Sequence, residues 1–419
     1  MKRYLVSLCL IAMACSVSGQ VRREYGEYGV ADLSDTYEAK APRGYRPVYV
    51  SHVSRHGARY AFVQHYSGVH DVLEQAYSDS NLTEAGLVLR DSLAGLWPAV
   101  AGHYGELTDF GREQLREMTG MFYRRYHRVF RGKTTATAIS TPVPRVRETM
   151  EIFIGGLTGL DRDLECPVDS SLTNEYSLNP MSSRLPDPYR VPVPSEIWDA
   201  AEAYETSILD PTGWASRLFK DVSLLGGGET AFMKNLHTIM IAIPCMGLPD
   251  DAFGVRACFT DGEAMAVHDA WNCRGYLAMG PEFGCEVGRR VLGKMIGAVE
   301  EDLASGLDLH MYFTHDTGII PLMSLLGVGT AGEKVSEPSE VSRVWDSSMC
   351  PMAANLQLVF YTWHGRRASA AGAKHQLLMK VVCNGRDVTL PEFSGPYVTW
   401  AEFSERFADF AGTAPGMKN

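Results

Sequence analysis

The sequence lacks an excess of positive charge and, beyond its first twenty residues, any long apolar run. Its 419 residues include 39 Lys and Arg against 50 Asp and Glu, a formal net charge of −11 at pH 7. This charge argues against a general binder of nucleic acid or of anionic membranes. A transmembrane helix needs about 20 apolar residues, so stable membrane insertion is not expected. An anion could still bind wherever arginines gather locally.

Compositional extremes are also missing. The chain is 45% hydrophobic and 21% charged, with 40 Gly and 21 Pro, which excludes a disordered, collagenous or coiled-coil protein. A chain of this length holds two to three ordinary domains, or one large α/β domain with an insertion. No C-x-x-C motif occurs, so neither a zinc ribbon nor a thioredoxin-type redox site is indicated.

The first nineteen residues have the pattern of an export signal. Lys2 and Arg3 precede an apolar run over 5–14, and small residues follow up to Gly19. This is a charged region, a short apolar region and a small-residue cleavage site. We therefore expect cleavage after Gly19 and a periplasmic or secreted protein. The alternative is a lipoprotein signal at Cys15.

Export affects how the nine cysteines are interpreted, since an oxidising compartment permits disulfides. Two of them fall within the signal, which leaves seven in the mature chain. The nearest pairs are Cys245 with Cys258 and Cys273 with Cys285. Sequence does not determine the pairing, and an odd number leaves at least one thiol free.

Strand and helix patterns alternate at both ends of the chain. Runs of β-branched and aromatic residues predict strands, and helical spacing of apolar residues predicts two long helices. The strands cover 46–51, 134–140, 307–314, 356–362 and 376–382, and the helices cover 107–126 and 286–303.

The middle of the chain has a different composition. It is dense in proline between 180 and 194 and contains a triple glycine at 226–228, without strand–helix alternation. We interpret it as a mainly helical insertion. The predicted organisation is a signal peptide at 1–19, the first part of an α/β core at 20–160, an inserted cap at 161–284, and the second part of the core at 285–419.

Three predicted strands end in cationic or titratable side chains. In open α/β sheets, ligands bind beyond the carboxyl ends of the strands. Arginine forks bind phosphate oxygens and stay charged at any accessible pH, so three guanidiniums and two imidazoles suit a tetrahedral oxyanion. Gly57 removes a Cβ where the backbone is expected to pass close to the ligand. The candidates are Arg55, His56 and Arg59 after the first strand, Arg145 after the second, and His315 and Asp316 after the third.

These candidates have simpler alternatives. Arg147 competes with Arg145 as the anion-binding arginine. The histidine–aspartate pair after the third strand could cap a helix, although a helix N-terminus also favours bound anions. His52, four residues before His56, could suggest a metal pair on a helix, but the strand pattern favours a structural role.

The motif at 55–59, R-H-G-A-R, resembles the R-H-G-x-R signature of the histidine phosphatase superfamily. His315-Asp316 looks like the second signature of its acid phosphatase and phytase branch. Residues 105–111 are similar to that family's G-x-L-T-x-x-G helix start, and Arg145 follows a Ser-Thr pair as the family's third phosphate arginine does. Segments near the C-terminus resemble exported bacterial relatives of multiple inositol polyphosphate phosphatase.

The resemblance implies an α/β fold of the phosphoglycerate mutase type, a three-layer core with a mainly parallel sheet and a mainly helical inserted cap. Inositol polyphosphate phosphatases usually carry His-Ala-Glu at the second signature, whereas this chain has His315-Asp316-Thr317. The general acid would then be Asp316, as in the acid phosphatases, and the inference to a particular inositol phosphate is weakened.

The implied reaction needs no metal and no cofactor. Neutral His56 would attack phosphorus, Arg55, Arg59, Arg145 and His315 would hold the phosphate oxygens, and Asp316 would protonate the leaving alkoxide. We expect activity at acidic to neutral pH. The leading hypothesis is an exported phosphomonoesterase acting on inositol polyphosphates such as phytate. Its alternatives are a broad-specificity acid phosphatase, a phosphoglycerate mutase-type transferase, and an exported phosphate-ester binding protein without turnover.

Overall fold

A computed structural model describes residues 23–30, 38–364 and 376–410. The predicted export signal at 1–19, including Cys15, lies outside the described residues. Within the described ranges, no helix has both the length and the apolar character needed to cross a membrane. The seven cysteines that follow the predicted signal are all within these ranges and all free, including the two nearest pairs named above.

One sheet organises the protein. Its order is β3-β2-β4-β1-β5-β6-β7, with β8 paired to β6. The strands are Tyr45–Arg55 (β1), Ala136–Ser140 (β2), Val168–Asp169 (β3), Leu309–Thr314 (β4), Asn355–Trp363 (β5), Leu378–Cys383 (β6), Arg386–Val388 (β7) and Val398–Thr399 (β8).

The parallel half of the sheet contains β3, β2, β4 and β1, and β5 joins β1 in the antiparallel sense. Arg55 is paired with Thr314 at the end of β4, and Ser140 is paired with Phe313. The carboxyl ends of β1, β2 and β4 therefore lie side by side. This register brings the loops that follow these strands together at one edge of the sheet.

The described part of the chain contains fourteen α-helices. They are Val63–Ser78 (α1), Glu84–Leu93 (α2), Leu96–Val100 (α3), Asp109–Arg125 (α4), Pro144–Leu160 (α5), Glu175–Leu178 (α6), Ser195–Ile208 (α7), Pro211–Ala215 (α8), Glu229–Ala242 (α9), Asp261–Met279 (α10), Gly284–Ser305 (α11), Asp316–Leu326 (α12), Val341–Val344 (α13) and Trp400–Arg406 (α14).

Helices cover both faces of the sheet. Successive residues of a strand point to opposite sides, so each strand packs against both helix layers. On one face, Val50 and Met311 pack with apolar residues of α4 and α5. On the other face, Tyr49 and Tyr312 pack with α11 and α12. The predicted α/β three-layer core is thereby confirmed.

A third apolar cluster lies beside this core and joins α1 and α2 to α8, α9 and α10. The region 161–284 is mainly helical, and its only strand in the described residues is the two-residue β3. Its helices share their core with residues 66–100, which the sequence assigned to the first part of the α/β core. The boundaries at 161 and 284 stay a prediction.

Candidate active site

The loop after β1 is held in place by α4. A Cβ on Gly111, in the first turn of α4, would come within 2.1 Å of the Ala58 carbonyl oxygen. A Cβ on Gly57 would meet the Leu115 side chain at 2.9 Å. Packing on α4 therefore explains Gly57, for which the sequence suggested close approach of a ligand. The main-chain nitrogen of Thr108 fixes the loop further by donating to Ala58 at 3.0 Å.

Arg55 ends β1 and is completely buried. Its Nη1 donates to the main-chain oxygens of Glu27, at 2.5 Å, and of Cys350, at 2.7 Å. Its Nη2 donates to Oδ2 of Asp316 at 3.0 Å. Burial alone would lower the pKa of Arg55, but the Asp316 carboxylate and other neighbours outweigh it and raise this pKa. Arg55 is therefore a fixed cation that connects three separate parts of the chain.

His56 lies in the loop directly after β1 and is buried. Its Nδ1 is 3.0 Å from the carbonyl oxygen of Gly57, which assigns the proton to Nδ1 and leaves a lone pair on Nε2. Burial, and then the positive charges of Arg145 and Arg55, lower the pKa of His56 well below 6.5. The ring is thus neutral, and a neutral imidazole with one free nitrogen can act as a nucleophile.

Arg59 completes the motif, and aromatic rings hold it in position. Its Nη1 donates to the Tyr28 hydroxyl at 2.8 Å. The Phe62 ring centroid is 4.2 Å from Cζ of Arg59 and 5.4 Å from Cζ of Arg145. Because a ring face attracts cations, Phe62 helps to hold two like-charged groups near each other. The sequence did not single out Tyr28 or Phe62, since an isolated aromatic residue has the pattern of an ordinary core position.

Arg145 and His315 are in contact. Pro144 is the first residue of α5, and Arg145 is the second. Nη2 of Arg145 is 3.3 Å from Nδ1 of His315. Burial, and then Arg59, lower the pKa of Arg145 to about 10, so it remains a cation at neutral pH. The competing Arg147 is exposed and pairs with Glu151 at 3.6 Å, away from this cluster.

His315 is the N-cap residue of α12, and Asp316 is the first residue of that helix. Oδ1 of Asp316 accepts a hydrogen bond from the main-chain nitrogen of Thr317 at 2.9 Å. The N-cap residue makes no side-chain capping hydrogen bond, so the interpretation of Asp316 as the helix cap is wrong, and the pair instead contacts Arg145 and Arg55. Burial, and then Arg145, lower the pKa of His315 to about 3. Burial would raise the pKa of Asp316, but Arg55 outweighs burial and holds that pKa below its usual range.

A second carboxyl, that of Glu27, lies beside Asp316, and the two side chains share a hydrogen bond. Burial, and then the Asp316 charge, raise the pKa of Glu27 to about 7. Sequence reasoning missed Glu27, because it belongs to a short segment before β1 that has no helix or strand periodicity. No local signal could have found it, since its partner is far away in the chain.

Three guanidinium nitrogens of the cluster are buried without an acceptor. The Nε atoms of Arg55, Arg59 and Arg145 have no hydrogen-bond partner among the described residues. These three nitrogens are shielded from water, in a setting where interactions between charges are strong. No group of three or more His, Cys, Asp and Glu side chains in the described ranges could hold a metal ion.

His52 does not join the cluster. Its ring is buried between Phe153, at a centroid distance of 5.2 Å, and Phe122, also at 5.2 Å. Neither of its ring nitrogens has a hydrogen-bond partner among the described residues. Burial lowers the pKa of His52 to about 3, so it packs as a neutral ring in the α4–α5 layer.

The family of this protein follows from a comparison with family models. The model of the histidine phosphatase superfamily (branch 2) matches residues 48–221 and 249–370. This match covers more than half of the chain, so the chain belongs to that superfamily, and the predictions of a phosphatase and of its branch are confirmed. No curated protein is similar enough in sequence to count as a relative.

Solved structures with the same fold include an inositol polyphosphate phosphatase and phytases. Multiple inositol polyphosphate phosphatase of Bifidobacterium longum, in complex with phosphate, has a TM-score of 0.75 and 18% identity, over 93% of this chain and 98% of that chain. The phytase from D. castellii has a TM-score of 0.67 and 15% identity, over 93% and 85%. Hafnia alvei phytase with myo-inositol hexakis sulphate has a TM-score of 0.56 and 15% identity, over 89% and 99%. At these identities, the likeness shows the fold.

Proposed function

We propose that this protein hydrolyses phosphomonoesters through a covalent phosphohistidine at His56. The observation that carries the proposal is the arrangement of the cluster. A neutral imidazole with a free Nε2 lies among three guanidiniums, of which two are buried and the third, that of Arg145, is partly exposed. The Arg55 guanidinium binds the Asp316 carboxyl. Binding of a phosphate ester without turnover would require neither that nucleophile nor that carboxyl.

In the first step, the Nε2 lone pair of His56 forms a bond to phosphorus, and the ester P–O bond breaks. The bond electrons go to the alcohol oxygen, which takes a proton from Asp316. Arg55, Arg59 and Arg145 offset the phosphoryl charge in a water-poor setting, where charge interactions are strong. The hydrogen bond from Nδ1 to Gly57 orients the ring for in-line attack.

In the second step, water attacks phosphorus and gives its proton to the Asp316 carboxylate. The P–N bond breaks, and its electrons return to Nε2 of His56. Inorganic phosphate leaves, and both side chains regain their starting protonation, so no metal is needed to balance the reaction. The same carboxyl acts as acid and then as base, as reversible proton transfer requires.

For the substrate, we propose inositol polyphosphates. The support is the shared fold with an inositol polyphosphate phosphatase and with two phytases, one of them in complex with an inositol hexakis sulphate. The predicted signal at 1–19 supports export, so we also propose that the protein meets its substrate outside the cytoplasm.

A specific observation favours a second candidate, a phosphatase for esters of alcohols with little charge. A cavity of roughly 410 Å³ continues from Arg59 and Thr317, on the Asp316 side of the cluster. Its walls include Trp198 and Trp271, and they carry only two guanidiniums, those of Arg59 and Arg274. Arg59 already belongs to the cluster that would bind the transferring phosphoryl group, so a strongly anionic ring such as a hexakisphosphate would gain little further attraction from these walls.

The reaction is tested with p-nitrophenyl phosphate. We expect His56→Ala to lower kcat by at least about a thousandfold, as removal of a nucleophile does. His70→Ala replaces an exposed histidine and should leave kcat unchanged. Rapid quenching of the wild type should trap labelled phosphate on one histidine, in an acid-labile and alkali-stable form. Equal turnover by His56→Ala and the wild type would rule out the proposed reaction.

The substrate is tested by comparing kcat/KM for inositol hexakisphosphate and for phenyl phosphate. A preference for the hexakisphosphate supports the first candidate, and a preference for phenyl phosphate supports the second. Chromatography of the inositol phosphate products would show which ring position is attacked first.

A further inference from the structure

The segment 23–30 places Glu27 against the candidate general acid. Two contacts bring them together: the side-chain hydrogen bond between Glu27 and Asp316, and the shared guanidinium of Arg55. Nη1 of Arg55 binds the main chain of Glu27, and Nη2 binds the carboxyl of Asp316. A single buried cation therefore fixes both partners of the carboxyl pair.

The segment itself is firmly packed. Gly26 has a φ of +48°, and a Cβ there would come within 2.7 Å of Oγ of Ser347. Val30 forms a parallel bridge with Met352, whose main-chain nitrogen donates to the oxygen of Gly29 at 2.8 Å. Because these contacts fix the backbone on both sides of Glu27, the position of its carboxyl is part of the fold.

Two carboxyls in hydrogen-bond contact cannot both be ionised without strong repulsion, so they share one proton. Asp316, which binds Arg55, is the better place for the negative charge. Glu27 is half-buried, and its pKa is raised to about 7, so the proton rests there at acidic and neutral pH. The other titratable or charged groups that act on this pair are Arg55, Arg59, Arg145, Tyr28, His315 and Cys350.

We propose that Glu27 stores the proton that Asp316 delivers to the leaving alcohol. This inference rests on the proposed phosphohistidine reaction. The proton moves from the Glu27 carboxyl to Asp316 as Asp316 protonates the oxygen of the breaking ester bond, which leaves both carboxyls ionised. The water that hydrolyses the phosphohistidine returns one proton to the pair, so the proton count balances over a cycle. Glu27 acts through Asp316 and is a positioning residue.

The inference explains how Asp316 can act as an acid although Arg55 favours its anion. With Asp316 alone, the acid would be largely ionised throughout the acidic to neutral range. With the pair, one proton is retained until the pH rises through about 7, the pKa of Glu27. For substrates whose leaving alcohol needs a proton, activity should therefore begin to fall only as the pH rises above about 7.

Glu27→Gln tests the proposal because it keeps the size of the side chain but removes the titrating carboxyl. The amide introduced by this substitution would donate to Asp316 and further favour its anion. With glycerol 2-phosphate, whose alkoxide must be protonated, we expect kcat/KM at pH 6 to fall by about a hundredfold, a usual value for loss of acid catalysis. The alkaline limb of the pH profile should move to lower pH by at least about one unit. With p-nitrophenyl phosphate, whose leaving group is stable as an anion, the loss should be below about threefold.

Two controls separate the possible causes. In kcat/KM, which reports the first step, Asp316→Asn should show the same dependence on the leaving group as Glu27→Gln. Glu113→Gln, on the exposed surface of α4, should leave both activities unchanged. A loss that is equal for the two substrates, with the pH limb unmoved, would mean a purely structural role and would overturn the inference. If His56→Ala retained turnover, the proposed phosphohistidine reaction itself would be wrong. This outcome is distinct from a Glu27→Gln result that overturns only the role of Glu27.

Infrared spectroscopy of the wild type gives a measurement that needs no active variant. The carbonyl stretch of a protonated carboxyl should be present at pH 6 and disappear as the pH rises through about 7. If Glu27→Gln folds, it should lack this band. Absence of the band from the wild type at pH 6 would also overturn the inference.

Discussion

Nη2 of Arg145 lies 3.3 Å from Nδ1 of His315, and this contact fixes the state of the imidazole. A guanidinium can only donate, so Nδ1 accepts and the proton of His315 sits on Nε2. Nε2 is 3.2 Å from the hydroxyl oxygen of Thr141. Two groups that could both be cations are therefore arranged so that only the arginine is charged. The N–H of His315 is directed at Thr141, and the neutral ring adds no repelling charge beside Arg145.

The first prediction concerns this arginine. Arg145→Ala should lower kcat/KM for p-nitrophenyl phosphate by about a hundredfold or more, because it removes a buried donor to the transferring phosphoryl group. Arg145→Lys should recover only part of this loss, since an ammonium lacks the planar fork. Arg147→Ala is the matched control, and its exposed ion pair with Glu151 contributes little. Equal effects at 145 and 147 would contradict the placement of Arg145 in the site.

The second prediction concerns the support of the 55–59 loop. Gly111→Ala would place a methyl group 2.1 Å from the Ala58 oxygen, so the loop or α4 must move. We expect a loss of about 1–3 kcal/mol in the free energy of unfolding, measured with urea, and a lower kcat.

Gly155→Ala is the control for this substitution. In α5, Gly155 has no described atom within 4 Å of an added Cβ, apart from its own helix backbone and its chain neighbours. Alanine there should leave kcat unchanged and stabilise the protein by about 0.5–1 kcal/mol. If Gly111→Ala behaved in the same way as this control, the close contact between α4 and the loop would be disproved.

The third prediction concerns acid stability. The folded protein holds His52 neutral with a pKa of about 3, whereas the unfolded chain has the ordinary value of 6.5. Below pH 6.5 the unfolded state binds the extra proton, so the free energy of unfolding decreases as the pH falls. The decrease due to His52 should be ~1.4 kcal/mol per pH unit, or about 2 kcal/mol between pH 6.5 and pH 5.

His52→Leu should remove this part of the pH dependence while keeping an apolar side chain among the phenylalanines. Urea unfolding at pH 8 and at pH 5 measures the difference for the wild type and the variant. His127→Leu, which replaces an exposed histidine, should not alter the dependence. The explanation fails if His52→Leu loses as much stability as the wild type between the two pH values.

Much of the core was predictable from the sequence, because its signals are local. The runs at 46–51 and 307–314 predict β1 and β4, and helical spacing over 107–126 predicts α4. The structure brings all six predicted site residues together, since each lies at or just after the end of a core strand. The sheet register that aligns these ends then supplies the proximity.

The short strands, the packing of the middle region and the position of Glu27 depend on contacts that no local sequence pattern encodes. Strands β3, β7 and β8 have two or three residues each, too few to show an alternation. Helices of the region 161–284 share an apolar cluster with α1 and α2, a contact that the change in composition near residue 161 does not encode. Glu27 acquires its environment only through Asp316 and Arg55, which are distant in the chain.

The path of the segment 23–30 has a consequence for how the protein matures. The carboxyl of Asp316 meets a partner that lies before β1 in the chain, while β5, which flanks β1, is translated after Asp316 itself. A nascent polypeptide that ends between β1 and β4 contains His56 but neither Asp316 nor the neighbouring strand β5. The cluster is therefore assembled only after β5 has been translated and has paired with β1.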